Sequence, residues 1–306
     1  MKASPEYQGI LIVDKPMGFT SHDVVAKLRG IFRTRRIGHG GTLDPMASGV
    51  LPVFIGGATK AADFAAAQDK SYRAGFTLGI ATDTQDITGT VVQRSDTRVS
   101  EDDVREALRS FEGRQLQQPP MYSAVQVNGQ RLYDLARKGV EVERPSREIF
   151  ISAIALERFD HETQKGVFSL TCSKGAYVRT IVHDCGLRLG TLAAMNSLVR
   201  TRAGVYPLEE AFSLDEIQQS ADEGRLAELL HPTDSIFEEY PAVVLDEPGW
   251  QRALNGAFID PAHAQGCPEE CGTLCRVYYD GQFQMLGRVD QLRKGGTALF
   301  VHKNFR

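Results

Sequence analysis

The chain has 306 residues, 42% of them apolar and 24% charged, with a formal net charge of −4. At roughly 100–200 residues per domain this predicts two domains or one large domain with an appendage, and the mixture excludes a disordered chain. No apolar run approaches the roughly 20 residues of a membrane helix, the first residues lack a secretory pattern, and five scattered cysteines fit free thiols in a reducing cytoplasm better than a disulfide scaffold.

Gly9–Val13 reads as a short apolar strand, ended by Asp14-Lys15-Pro16. Thr20-x-x-Asp23 forms a capping-box pattern before a helix whose apolar face is Val24, Val25, Leu28, Ile31 and Phe32, with basic residues at its C-terminal end. The glycine-rich stretch Gly38–Gly49 is expected to be a loop and Val50–Ile55 a buried strand. Tyr72, Ala74, Phe76 and Leu78 alternate with Arg73, Gly75 and Thr77, the pattern of a half-buried strand. Ser100-x-x-Asp103 caps another helix, and Asn128-Gly129 marks a turn before a short helix that ends ahead of Gly139. Ile149–Phe159 and Val167–Cys172 read as strands, and Tyr177–Leu189 as a helix closed by Gly190. Strands and helices in this irregular order predict a mixed α/β fold, a sheet with helices packed on it. Near residue 240 the texture changes to a strand at Val243–Leu245, a helix between Pro248 and Gly256, a hairpin turning at Asp280-Gly281 and a last strand at Ala298–His302. These predict a small β-rich unit leaning on the larger one.

Charge is segregated. Glu209–Glu247 holds twelve acidic residues against Arg225 alone, a charge of −11, so the rest of the chain carries +7. Lys27, Arg29, Arg33, Arg35 and Arg36 stand together without an acid, and Lys174–Arg202 holds five basic residues against Asp184. Such a distribution can present one attractive face to a polyanion, although basic runs are also ordinary solvated surface.

The densest chemical segment is Gly38-His39-Gly40-Gly41-Thr42-Leu43-Asp44-Pro45. Glycines permit close backbone approach, Pro45 biases Asp44 toward an extended conformation, and an imidazole precedes the carboxylate by five residues. The same residues make ordinary turns, and composition alone favours that reading. No phosphate-binding G-x-x-x-x-G-K-[ST] occurs, and neither Asp44 nor Asp83 is followed by the Ser/Thr-Gly of an aspartic protease. Cys267, Cys271 and Cys275 have a spacing unusual for zinc and read as thiols.

Seven separated stretches resemble, in order, the TruB family of tRNA pseudouridine-55 synthases. They are Asp14-Lys15-Pro16-x-Gly18-x-Thr20-Ser21, Gly38–Gly49, Lys70-x-Tyr72, Thr82-Asp83-Thr84, Met121-Tyr122-Ser123-Ala124, Cys172-Ser173-Lys174-Gly175-x-Tyr177-x-Arg179 and Leu198-x-Arg200. The resemblance covers about residues 9 to 204. Gly40 stands where other members carry other small residues, and Cys185 replaces a usual leucine. The resemblance implies a pseudouridine-synthase core, with a mixed, largely antiparallel sheet and flanking helices, over residues 1–238. It also implies a thumb-like insertion at about 122–144 and, more loosely, a PUA-like β-rich domain over 239–306.

The activity so implied is isomerisation of a T-loop uridine in tRNA, with no cofactor or metal, by a cytoplasmic monomer. A tRNA-binding or tRNA-folding chaperone without catalysis is the alternative. By resemblance Asp44 is the nucleophile, Arg179 its cationic partner, and Tyr72 the ring that stacks on the flipped uracil and takes part in proton transfer. His39, Tyr177 and Leu198 match substrate-contacting positions. Lys15, Pro16 and Asp86 match supports behind the pocket. Arg131, Arg137 and Lys138 in the insertion, with Arg33, Arg35 and Arg36, are candidates for RNA phosphate contacts. An ionised aspartate in a cleft that excludes water needs a fixed cation beside it, because desolvation alone neutralises it.

Overall fold

A computed structural model describes residues 7–123, 125–127, 129–293 and 295–305. Asn128, expected in a turn, and the side chain of Arg131 lie outside the described residues. The larger unit is built on a nine-stranded sheet. Its main path runs Gly9–Lys15, Ser48–Ile55, Ala193–Ala203, Lys70–Leu78, Lys165–Cys172, Arg147–Asp160 and Gly113–Gln117, with Ile37–His39 and Tyr206–Pro207 attached beside it. All pairings are antiparallel except one. Ala193–Ala203 runs parallel to Ser48–Ile55, and only through Val199 with Ser48 and Arg200 with Gly49. This seam brings the end of the glycine-rich loop beside the middle of the sheet.

Local chemistry fixes the helices. Thr20 and Asp23 make the reciprocal capping box of helix Ser21–Ile31, and Ser100 and Asp103 that of Glu101–Arg109. Ser21–Ile31 ends earlier than its basic tail suggests. Phe32 caps it, only Arg29 lies in its last turn, and Arg33 turns the chain away at φ 53°. The expected macrodipole role therefore does not extend to Arg33, Arg35 and Arg36. Glu101–Arg109 and Val178–Arg188 bury Val104, Leu108, Ile181 and Val182 with Phe76, Phe168 and Met195 of the sheet. Ser21–Ile31 and Leu214–Asp222, part of the acidic segment, bury Val24, Leu28, Leu214 and Ile217 against Leu11, Val13, Leu51 and Val53 of the sheet.

The strand Ala193–Ala203 is not legible as one. Three alanines begin or end it, two arginines interrupt it, and bulges shift its register between Met195 and Ser197 and between Arg200 and Arg202. Its burial comes from two neighbouring strands, so it lacks the alternation of a half-exposed strand.

The small unit is a five-stranded sheet ordered Ala264–Gln265, Ala242–Leu245, Leu274–Tyr279, Gln282–Gln291 and Thr297–Asn304. Asp280 and Gly281 turn its hairpin at φ 49° and 70°, the left-handed pair that a two-residue turn between twisted strands needs. One face closes a small core around Val243, Val277, Met285 and Leu299. Phe283, Leu286 and Phe305 instead join Phe54, Phe237 and Ile10 in a cluster of the larger unit. Tyr278 donates to Asp234 at 2.5 Å across the same contact.

The parallel seam requires Gly49. Its φ is +100°, and a Cβ there would stand 2.3 Å from the Arg200 carbonyl oxygen. Gly49→Ala is expected to destabilise the chain by about 2 kcal/mol or more in urea unfolding. A loss below about 0.5 kcal/mol would show that the seam tolerates a side chain.

Candidate active site

The glycine-rich loop is fastened along its length. Gly40 N–H donates to Pro52 O at 2.9 Å, Gly18 N–H to Pro45 O at 2.7 Å, and Ala47 N–H to Asp44 O at 3.0 Å. Leu43 N–H donates to the Ser21 hydroxyl at 2.9 Å, so the first residue of a helix holds the neighbour of Asp44. Arg200, 1% exposed, completes the frame. Its Nε donates to Val50 O at 2.6 Å, Nη2 to Gly41 O at 3.1 Å and Nη1 to Thr42 O at 3.4 Å. A rigid fork of donors suits three carbonyls converging from two segments.

Asp44 projects from this loop into a cleft, with 36% of its side chain open. Arg179 Nη2 lies 2.9 Å from Asp44 Oδ2. The guanidinium is itself held, because Nη2 donates to Tyr122 O at 2.7 Å and Nη1 to Thr84 O at 3.4 Å, with Asp86 Oδ2 3.8 Å from Nη1. The other oxygen of Asp86 accepts from Thr84 Oγ1, Thr88 N and Thr88 Oγ1, which fixes the carboxylate in place. Burial raises the Asp44 pKa and Arg179 opposes it, while Asp86 adds to the rise and Lys15 to the fall. Burial wins, so the carboxyl sits above its ordinary range, and the guanidinium limits how far.

Asp44, Tyr72, Tyr177, Arg179 and Leu198 line one cavity of about 240 Å³. That is below the roughly 300–1,000 Å³ of sites for drug-sized ligands and suits one nucleobase with its sugar. Tyr72 enters from strand Lys70–Leu78. Burial raises its pKa, and the positive charge of Arg200, its partner on the neighbouring strand, opposes the rise without cancelling it. Tyr177 caps the helix that carries Arg179. Gln117 clamps it through both backbone groups, accepting from Tyr177 N–H at 2.7 Å and donating to Tyr177 O at 3.1 Å. The Arg179 guanidinium lies 5.9 Å from the centre of the Tyr177 ring.

Lys15, Pro16, His39 and Asp86 do not line the cavity. Lys15 is fully buried and donates to Pro16 O and Phe19 O at 3.0 and 2.6 Å; burial pushes its pKa down to about 8. His39 sits on the short strand Ile37–His39, where burial, then Arg200, lowers its pKa and keeps the ring neutral at pH 7. Arg33, Arg35, Arg36, Arg137 and Lys138 are exposed on the surface, with the Arg137 guanidinium 5.5 Å from the Tyr133 ring centre.

Arg200, Lys70 and Ser123 are among the cavity residues to which the sequence assigns no site role. All three stand within the matched motifs, but their roles lie in tertiary contacts that the local pattern does not encode. Lys70 donates to Ala65 O, Ala66 O and Gln68 O, satisfying the end of helix Ala62–Ala67. Among the described residues no group of three or more His, Cys, Asp or Glu is placed to hold a metal. Arg200→Met would leave three carbonyls without their donor. We expect it to cost about 2–4 kcal/mol in urea unfolding; a cost under about 1 kcal/mol would contradict the bracing described.

A family model for the N-terminal domain of TruB family pseudouridylate synthases matches residues 29–178, and one for the C-terminal domain of tRNA pseudouridylate synthase B matches residues 179–238. The tRNA pseudouridine synthase B of Lactiplantibacillus plantarum is 43% identical over 302 residues, spanning 96% of this chain and 98% of that protein. The protein of the same name from Bacillus subtilis is 42% identical over 257 residues, 82% of this chain and 83% of its own. The crystal structure of a Cbf5–Nop10–Gar1 complex contains a chain that superposes with a TM-score of 0.75 at 26% identity, over 97% of this chain and 85% of that one.

Proposed function

The chain belongs to the TruB family of pseudouridylate synthases, and from that premise we propose that it is a tRNA pseudouridine synthase acting on a uridine of the T-loop. The observation that carries the reading is the Asp44–Arg179 pair at 2.9 Å in a cavity sized for one nucleobase and walled by Tyr72, Tyr177 and Leu198.

The reaction is an isomerisation. The N1–C1′ bond of uridine breaks, the uracil turns, a C5–C1′ bond forms, the C5 proton leaves to water and N1 takes up a proton. Atoms balance without a redox partner. The target base is first pulled from its stack, at a cost of a few kcal/mol. Stacking on an aromatic face offsets about 1–3 kcal/mol of that, the role assigned to Tyr72. Tyr177 and Leu198 confine the ring, and Asp44 supplies the ionised carboxylate. Arg179 holds that carboxylate charged and pointed, and Asp86 holds Arg179. Lys15 and Pro16 support the floor, and His39 stands at the loop entry beside the displaced nucleotides.

The substrate-binding surface belongs to the same proposal. Arg33, Arg35, Arg36, Arg131, Arg137 and Lys138 take RNA phosphates, which makes binding salt-dependent. Residues 1–238 form the catalytic domain with the insertion at about 122–144 as its thumb, and 239–306 form a PUA-like accessory domain. The protein works as a cytoplasmic monomer. Recognition rests mainly on the folded shape of the T-arm and its everted bases.

The test is release of tritium to water from tRNA labelled at uracil C5. Wild-type protein is expected to release it. Asp44→Asn is expected to abolish release while keeping tRNA affinity within about tenfold, a binding change of about 1.4 kcal/mol at most. No release by the wild type removes the isomerase reading, and near-normal turnover by Asp44→Asn removes the nucleophile assignment.

A further inference from the structure

Ser123 carries the one hydroxyl among the described cavity residues that is buried without a partner; Arg179 Nε is likewise unpaired, but its other two nitrogens are bonded. Lys70 and Arg200 are each spent on three backbone carbonyls, and the Ser173 hydroxyl accepts from Phe150 N–H at 2.9 Å. Ser123 lines the same cavity and is only 4% exposed, yet its Oγ has no hydrogen-bond partner among the described residues. A hydroxyl withdrawn from water without a replacement bond is a cost to the folded chain, and native structures keep few such groups without a use for them.

Its place suggests the use. Ser123 N–H donates to Met121 O at 2.9 Å and Tyr133 N–H donates to Ser123 O at 3.1 Å, so the backbone is fixed on both sides. The preceding residue, Tyr122, accepts at 2.7 Å from Arg179 Nη2, the same nitrogen that lies 2.9 Å from Asp44. Ser123 thus directly follows the residue whose carbonyl holds Arg179, and it lines the same cavity as Asp44. Serine changes rotamer by a single χ1 step, which can turn a hydroxyl from the wall toward a ligand.

We propose that the Ser123 hydroxyl hydrogen-bonds the flipped uridine beside its glycosidic bond and so serves as a substrate-binding residue whose partner arrives only with the RNA. The inference rests on the pseudouridine-synthase reading above. A hydroxyl both donates and accepts, and two substrate atoms flank that bond, the uracil O2 and the ribose 2′-hydroxyl. Either one relieves the unpaired state of Ser123 in the complex.

The test compares wild type, Ser123→Ala and Ser123→Thr in thermal melting and in tritium release. Ser123→Ala removes an unpaired group, so its Tm is expected to equal or exceed that of wild type, while kcat/KM falls about 10–100-fold. Ser123→Thr keeps the hydroxyl and is expected to retain more of the activity. T-arm substrates carrying 2′-deoxyuridine or 2-thiouridine at the reacting position then locate the partner. The penalty for altering the partner atom, read in kcat/KM or in Kd for an unreactive analogue, is expected to shrink in Ser123→Ala for one of the two. A kcat/KM within about twofold of wild type, a Tm several degrees lower, or additive losses with both analogues would overturn the proposal. A wild type that releases no tritium would instead sink the parent reading.

Discussion

The structure turns on one ion pair in a half-closed cleft. Asp44 faces two opposing pulls: burial drives a proton onto its carboxyl, and the Arg179 guanidinium at 2.9 Å drives it off. A carboxylate poised in this way is less hydrated and more basic than one in water. Arg179, 5% exposed, is also a charge taken out of solvent, and it is tolerated because carbonyls of Tyr122 and Thr84 and the carboxylate of Asp86 share the guanidinium.

That pair can form only because the fold delivers its two halves from distant parts of the chain. Asp44 comes on a loop entering strand Ser48–Ile55, and Arg179 on the first turn of helix Val178–Arg188. The sheet joins them through the parallel seam at Gly49 and Arg200, and Arg200 reaches back to hold the loop by Gly41 and Thr42. Stability and positioning therefore share residues. The buried arginine that closes the sheet also holds the loop that carries the aspartate, and it pairs in register with Tyr72 on the neighbouring strand.

What could be read from the sequence was what short-range chemistry decides. The capping boxes at Thr20 and Ser100, the Asp280-Gly281 turn and the alternation from Tyr72 to Leu78 depend on neighbours within a few residues, and each formed as expected. The strand Ala193–Ala203 depends on two strands far away in sequence and on a buried arginine that any hydropathy pattern scores as surface. The basic helix end stops short of Arg33, Arg35 and Arg36 because Phe32 and Arg33, not charge, set where the chain turns. The glycine-rich loop alone was indistinguishable from a turn. Its meaning came from resemblance, and the structure adds that Asp44, Tyr72, Tyr177, Arg179 and Leu198 share one cavity while His39, Lys15, Pro16 and Asp86 stand around it. Arg200 and Ser123 were missed because their roles lie in contacts, present or absent, that no spacing encodes.

The balance between burial and the guanidinium is measured most directly by following the carboxyl carbon of Asp44 by NMR through a pH titration, in wild type and in Arg179→Gln. The account predicts a wild-type midpoint above the 3.8 of an ordinary aspartate, and a further rise when the cation is removed. A midpoint at or below the ordinary value, or one that the substitution leaves in place, would contradict it.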